Sequence, residues 1–211
     1  MRSSTVCAGG RGILRPLVVF KLGGSLLDLP NIGERLSEAF ELWNDSRKLL
    51  IVGGGPAVDF VRKMYEIHNF SEEDGHWLAI RALVLTSHLV TSLLPGAVVV
   101  QTLEEANVHW DQGTIVVLDT LSFLTEEEKE GKVIPHKWEF TSDSIAALVA
   151  KVTSASELVL LKSISEDGLT ARKAVENGWL DSDFGKTVSN LLPVTWLNFR
   201  EKKLAPMNLE Y

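Results

Sequence analysis

Two short apolar runs, each closed by glycines, constrain the fold of this 211-residue chain more than any other feature. The first, Leu17–Leu22, reads LVVFKL and is followed by Gly23, Gly24 and Ser25. The second, Leu49–Val52, is followed by Gly53, Gly54 and Gly55. Short, partly β-branched apolar runs bounded by glycine predict buried strands. Lys21 is the anomaly, because an ammonium inside such a run is costly unless something compensates it. Either its amine reaches past the strand end into water, or an anion sits at the mouth of the strand.

Helix-like and strand-like segments alternate along the rest of the chain. Ile32, Leu36, Ala39, Phe40 and Trp43 recur at helical spacing and predict a helix over Asn31–Asn44. Pro56 suits the first turn of a helix that carries Val58, Val61, Met64 and Tyr65. Ser71 caps a third predicted helix over Asp74–Leu94, apolar on most sides and expected to pack on both flanks. Ala97–Val100, Ile115–Leu118, Leu158–Leu161 and Val194–Leu197 are further predicted strands. Thr125–Glu130 reads as a short solvated helix, and Thr141-Ser142-Asp143-Ser144 opens one that runs to Val152. Such alternation implies βαβ units and an α/β fold, a three-layer α/β/α sandwich with a mainly parallel central sheet. Open sheets of this kind bind ligands beyond the carboxyl ends of their strands, where both glycine clusters fall.

Composition narrows the partners. A net charge of −7, from 28 acidic and 21 basic residues, argues against a broad phosphate-backbone footprint and hence against a nucleic-acid partner. No apolar run reaches the length of a membrane span, so no membrane partner is expected. Cys7 is the single cysteine and has no internal disulfide partner, which fits a reducing, cytoplasmic location. Residues 1–16 hold Arg2, Arg11 and Arg15 without an acid and read as a flexible basic tail, with 17–211 as a single domain.

Two nucleotide motifs fail. No glycine-lysine-serine/threonine step precedes a helix, and Val58 stands where a dinucleotide fingerprint needs its third glycine. What remains is a lysine and two glycine loops. Glycine lets main-chain amides approach a ligand closely, and amides at a helix start favour anions. Phosphoryl transfer asks a protein for little beyond positioning and charge compensation. A pair of such loops with Lys21 between them fits that demand.

These residues resemble the amino acid kinase family. Lys21-Leu22-Gly23-Gly24-Ser25 is similar to its first motif, Ile51-Val52-Gly53-Gly54-Gly55 to its second, and Thr141-Ser142-Asp143-Ser144 to its third. The resemblance spans Leu17 to Arg172. His76-Trp77-Leu78-Ala79-Ile80-Arg81 and the stretch from His136 to Ser144 resemble a branch that phosphorylates an aminomethylfuran-methyl phosphate in methanofuran-type one-carbon cofactor biosynthesis. It implies an ATP-dependent kinase with Mg²⁺, acting on a small phosphorylated or carboxylated acceptor, and a homodimer. It implies Lys21 and Asp143 as catalytic, with Asp143 orienting Lys21 or a neighbouring lysine. Amides of Gly23, Gly24, Gly53 and Gly54 would hold phosphates, with Ser25, Gly55, Arg62 and His76 completing the acceptor side. Lys63 and His136 are secondary candidates there, and Asp59 and Trp138 are candidates for an ammonium on the acceptor.

The nucleotide side departs from the family pattern. Lys162, Ser163, Asp167 and Gly168 stand where the family carries threonine-aspartate-valine-aspartate-glycine, so only the second aspartate and the glycine persist. Against the family pattern the C-terminal nucleotide-binding part is expected to be shortened, with Asp181–Lys186 as its expected remnant and Lys162 as a candidate substitute positive charge. No protein metal ligands are expected. Two functions stay open at this point: a small-molecule kinase, or a degenerate relative of the same fold that binds a metabolite or a partner.

Overall fold

The computed structural model describes residues 15–188 and 192–210. The tail up to residue 14, Cys7 included, lies outside the described residues. Six parallel strands, β1 (Leu17–Leu22), β2 (Arg47–Val52), β3 (Ala97–Val100), β4 (Ile115–Leu118), β5 (Glu157–Lys162) and β6 (Val194–Asn198), form one sheet with a short antiparallel edge, β7 (Met207–Asn208). Their order is β3-β4-β2-β1-β5-β6-β7. The mainly parallel α/β architecture expected from the sequence is the one found.

The helices are α1 (Ile32–Glu41), α2 (Gly55–His68), α3 (Glu72–Leu93), α4 (Leu103–Asp111), α5 (Thr120–Lys129), α6 (Ser142–Val152), α7 (Ala171–Glu176) and α8 (Phe184–Thr187). Side chains alternate between sheet faces along each strand. Val18, Phe20 and Leu22 of β1 join α1 in one core, whereas Leu17 and Val19 join Ile145, Ala146 and Val149 of α6 in the other. β2 and β5 divide in the same way, Leu50 and Val159 on the first side and Leu49 and Leu158 on the second. Each fully buried aliphatic or aromatic side chain stabilises by ~1.5–3 kcal/mol, so the two-sided burial of β1 makes it the spine of the molecule.

Two expectations need correction. The helix expected over Thr125–Glu130 starts at Thr120, capped by Asp119, whose carboxylate accepts from Ser122 N. Its first turns bury Phe123 and Leu124, and Glu127 is buried as well, so the element is not solvated. The third helix packs against α2, α5 and the sheet and contributes to both cores, but one of its sides stays open to solvent. Ile80, Leu83 and Val90 face the core, while Leu78, Leu85, Leu89 and Leu93 are exposed along the other side. Helix α4 was not expected, although Thr102 caps it by accepting from Glu105 N, and Leu103, Ala106 and Trp110 pack inward at helical spacing.

Candidate active site

Strand register decides which side chains meet. Lys21 on β1 lies opposite Leu160 on β5, so Lys162, two residues further along, emerges on the same face. That face is the one covered by α6, which packs on β1, β5 and β2. Thr141 caps α6, and Asp143 stands in its first turn, where a carboxylate complements the helix dipole.

The result is a buried trio. Lys162 Nζ donates to Asp143 Oδ2 at 2.7 Å and to the Trp179 carbonyl at 2.6 Å. Lys21 Nζ lies 2.8 Å from Asp143 Oδ1, an ion pair in which that oxygen has no aligned hydrogen-bond donor. Exposures of 4% for Lys21, 5% for Asp143 and 8% for Lys162 place all three inside the protein. Burial pushes the Lys162 ammonium down to a pKa of about 8, with Asp143 opposing the shift and Lys21 adding to it. Burial also pushes Asp143 up, but the two ammoniums outweigh it and hold the carboxyl below its usual range. Two cations share one carboxylate, so the trio carries a single unmatched positive charge near neutral pH.

The glycine loops meet directly beside this trio. A Cβ on Gly24 would fall 2.2 Å from Gly55 N, and one on Gly53 would fall 2.6 Å from Gly24 N. Only glycine permits that main-chain approach. Gly55 also adopts φ +48° as α2 begins. One expectation changes here. Gly23 N donates to Leu161 O at 2.9 Å and Gly53 N to Leu22 O at 2.8 Å, extending the sheet by one bond each. These two amides are therefore engaged with the protein. Gly24 opens a 3₁₀ turn and Gly54 is the N-cap of α2, so theirs are the amides that stand at helix starts.

A cavity of about 630 Å³ opens over the loops. Of the expected acceptor residues, Gly24, Ser25, Gly54, Gly55, Arg62 and His76 line it, together with Asp59 and Trp138; Gly23 and Gly53 do not. Arg62 lies over the Trp138 ring at 5.4 Å and pairs with Asp59 at 3.2 Å. His136 pairs with Glu128 and stacks on His76 at 5.2 Å. Sequence reasoning missed Asp28, Lys137, Phe140 and Arg200 in the cavity wall. Arg200, beyond the end of β6, donates to Ser25 O at 2.7 Å and to Asp28 Oδ1 at 2.6 Å. No local signal marks it, because its partners lie more than 170 residues away.

The expected nucleotide residues separate. Lys162 belongs to the trio, and Ser163 Oγ accepts from Ser25 Oγ at 3.1 Å. Gly168 lines a different cavity, of about 220 Å³, with Trp196 and Leu209, and Asp167 lines neither this cavity nor the large one. The Asp181–Lys186 stretch is held by the protein itself. Asp181 accepts from Thr141 N at 3.2 Å, Thr141 Oγ1 at 2.7 Å, Ser144 N at 3.0 Å and Ser144 Oγ at 2.5 Å. It thus clamps the helix start that carries Asp143, while neighbouring Trp179 holds Lys162. Asp183 pairs with Lys137 and Lys186, which hold its carboxyl below the ordinary range. Asp181→Ala is expected to cost about 2 kcal/mol, the scale of a lost charge-assisted cap. Chemical denaturation measures that loss, and an unchanged midpoint would remove Asp181 from this role.

Comparison with known proteins follows the same outline. Residues 16–170 match the amino acid kinase family. The aminomethylfuran-methyl phosphate kinase of Methanocaldococcus jannaschii is 26% identical over 166 residues, 72% of this chain and 67% of that protein. Among solved structures, uridylate kinase from Archaeoglobus fulgidus superposes with a TM-score of 0.55 at 19% identity, covering 84% of this chain and 88% of that one. UMP kinase from Bacillus anthracis gives 0.62 at 14%, covering 94% and 100%. Aspartate kinase from Synechocystis gives 0.65 at 12%, covering 92% of this chain and 40% of that one.

Proposed function

This chain belongs to the amino acid kinase family, and we propose that it transfers the γ-phosphoryl group of ATP to a small acceptor bearing a phosphate or a carboxylate. The observation that supports this reading most is the unmatched positive charge of Lys21, Asp143 and Lys162 beside two touching glycine loops. Such an arrangement stabilises charge that spreads over the oxygens of a phosphoryl group in flight. Lys21, paired with Asp143, takes the transferring group. Lys162 supplies the second cation, and Asp143 fixes the spacing of both. Gly24 and Gly54 offer their amides to the phosphates on either side. The donor set suits Mg²⁺ only as a companion of the nucleotide: both Asp143 oxygens face ammoniums, so phosphate oxygens and water would hold the metal.

Similarity to the Methanocaldococcus jannaschii kinase favours a phosphorylated, aminomethyl-substituted ring as the acceptor, and the motif resemblance adds one-carbon cofactor biosynthesis as its proposed setting. A homodimer would cover the exposed leucines of α3, and a cytoplasmic location suits a substrate of this kind. No helix among the described residues is long and apolar enough to cross a membrane.

The separation of Asp167 and Gly168 from the large cavity favours a second reading, in which nucleotide binding has been lost and the cavity serves as a metabolite site. Thermal unfolding separates the two. A ligand at a hundredfold its dissociation constant adds ~2.7 kcal/mol to the folded state, so Mg-ADP at that excess is expected to raise the midpoint by roughly 5–11 °C. ADP release from Mg-ATP should then depend on added aminomethylfuran-methyl phosphate. No shift with nucleotide selects the second reading.

A further inference from the structure

Two side chains in the wall of the large cavity carry buried polar atoms with no protein partner: His76 Nε2 and Trp138 Nε1. His76 is 2% exposed. Native interiors seldom leave such atoms unpaired, because the lost hydration is not recovered. The two atoms differ in what they require. The indole N–H of Trp138 can only donate. The imidazole of His76 is oriented by the Lys137 carbonyl, 3.4 Å from Nδ1. Nδ1 must carry the proton to make that contact, which leaves a bare lone pair on Nε2. Burial lowers the His76 pKa and keeps the ring neutral. Stacking on His136 and edge contact with Trp77 fix the ring in place. Trp138 is fixed as well, between the Arg62 guanidinium and the Tyr65 ring, with Gly75 leaving room for it. Around them Val58, Ile80, Leu83 and Phe140 supply an apolar wall.

We infer that His76 and Trp138 select the acceptor: the ligand is a compact apolar ring that offers an N–H or O–H donor to His76 Nε2 and a lone pair to Trp138 Nε1. The inference rests on the reading of this cavity as the seat of a phosphorylated acceptor. A methyl group in place of the donor would leave Nε2 unpaired under the ligand, and sites built to pair a polar group reject analogues that lack it.

Isothermal titration of the full chain with three probes tests this: meta-aminomethylbenzyl, meta-hydroxymethylbenzyl and meta-methylbenzyl phosphate. At least one donor-bearing probe should bind about tenfold tighter than the methyl probe or better. The tighter of the two donor probes tells whether nitrogen or oxygen is preferred. His76→Phe should erase the difference; Trp138→Phe should weaken the hydroxymethyl probe, whose oxygen can accept from the indole N–H, and spare the ammonium of the aminomethyl probe, which has no lone pair. Equal affinity of all three probes for the wild-type chain overturns the inference, a trapped water then being the partner, while the phosphate-acceptor reading stands. A preference that survives His76→Phe also overturns it. Failure of every probe to bind overturns both readings together. The wild-type comparison needs no variant, so a misfolded substitution leaves the test intact.

Discussion

Lys21→Ala is expected to lower the turnover of phosphoryl transfer by about three orders of magnitude, with the thermal midpoint changed by no more than a few degrees. The rate effect follows from what the ammonium does. Removing one preorganised charge-stabilising donor typically costs ~10²–10³ in turnover, and Lys21 is a full cation in a water-poor site. The small stability effect follows from the trio. Asp143 keeps Lys162 at 2.7 Å when Lys21 is gone, so no buried charge is left alone and the unmatched positive charge disappears. Steady-state kinetics with Mg-ATP and the acceptor, paired with thermal unfolding, separates the two effects. A variant retaining a tenth of wild-type turnover would show that Lys21 does not face the transferring group.

Asp143→Ala should behave in the opposite way and cost stability first. Its loss leaves two ammoniums buried on neighbouring strands with nothing between them. Breaking a buried ion pair by deleting one partner costs ~3–5 kcal/mol, which for a chain of this size lowers the midpoint by roughly 6–20 °C. The pH dependence carries a distinctive sign. The folded-state pKa of Lys162 is already depressed to about 8 from 10.5, so the unfolded chain binds more protons above pH 8. That group therefore adds stability as pH rises from about 8 toward 10.5. Without Asp143 the depression deepens, so the deficit of the variant should narrow between pH 7 and about pH 9. Asp143 itself has a lowered pKa, and its contribution in the wild-type chain is lost only as pH falls below the ordinary aspartate range. Unfolding measured at both alkaline and neutral pH checks the sign. A deficit that grows with pH would mean that the two lysines are not sharing this carboxylate.

Much of this centre was legible in the chain because its signals are local. An apolar run interrupted by lysine, a glycine pair and a glycine triplet name β1, β2 and the loops without reference to anything distant. Asp143 was legible through the motif around it, since an aspartate in a first helical turn is otherwise an ordinary cap. What escaped was set by long-range geometry. Trp179 and Asp181 hold Lys162 and α6 across 17 to 40 residues of sequence, and Arg200 reaches back across more than 170. The fate of the Gly23 and Gly53 amides depended on how far the sheet's bonding ran past the strand ends. Helix α4 is a different case, because Thr102 and Glu105 form a capping pair that periodicity alone could have supported.

The contact between Gly24 and Gly55 is made of main chain on both sides. A floor built of peptide groups offers no side chain to exchange, so single substitutions cannot retune it; they can only break it. The walls above, on α3 and the segment from His136 to Phe140, are ordinary side chains and free to vary. A lineage of such proteins can therefore change what it recognises while inheriting the chemistry unaltered, and divergence in substrate should be written on that wall before any other part of the molecule.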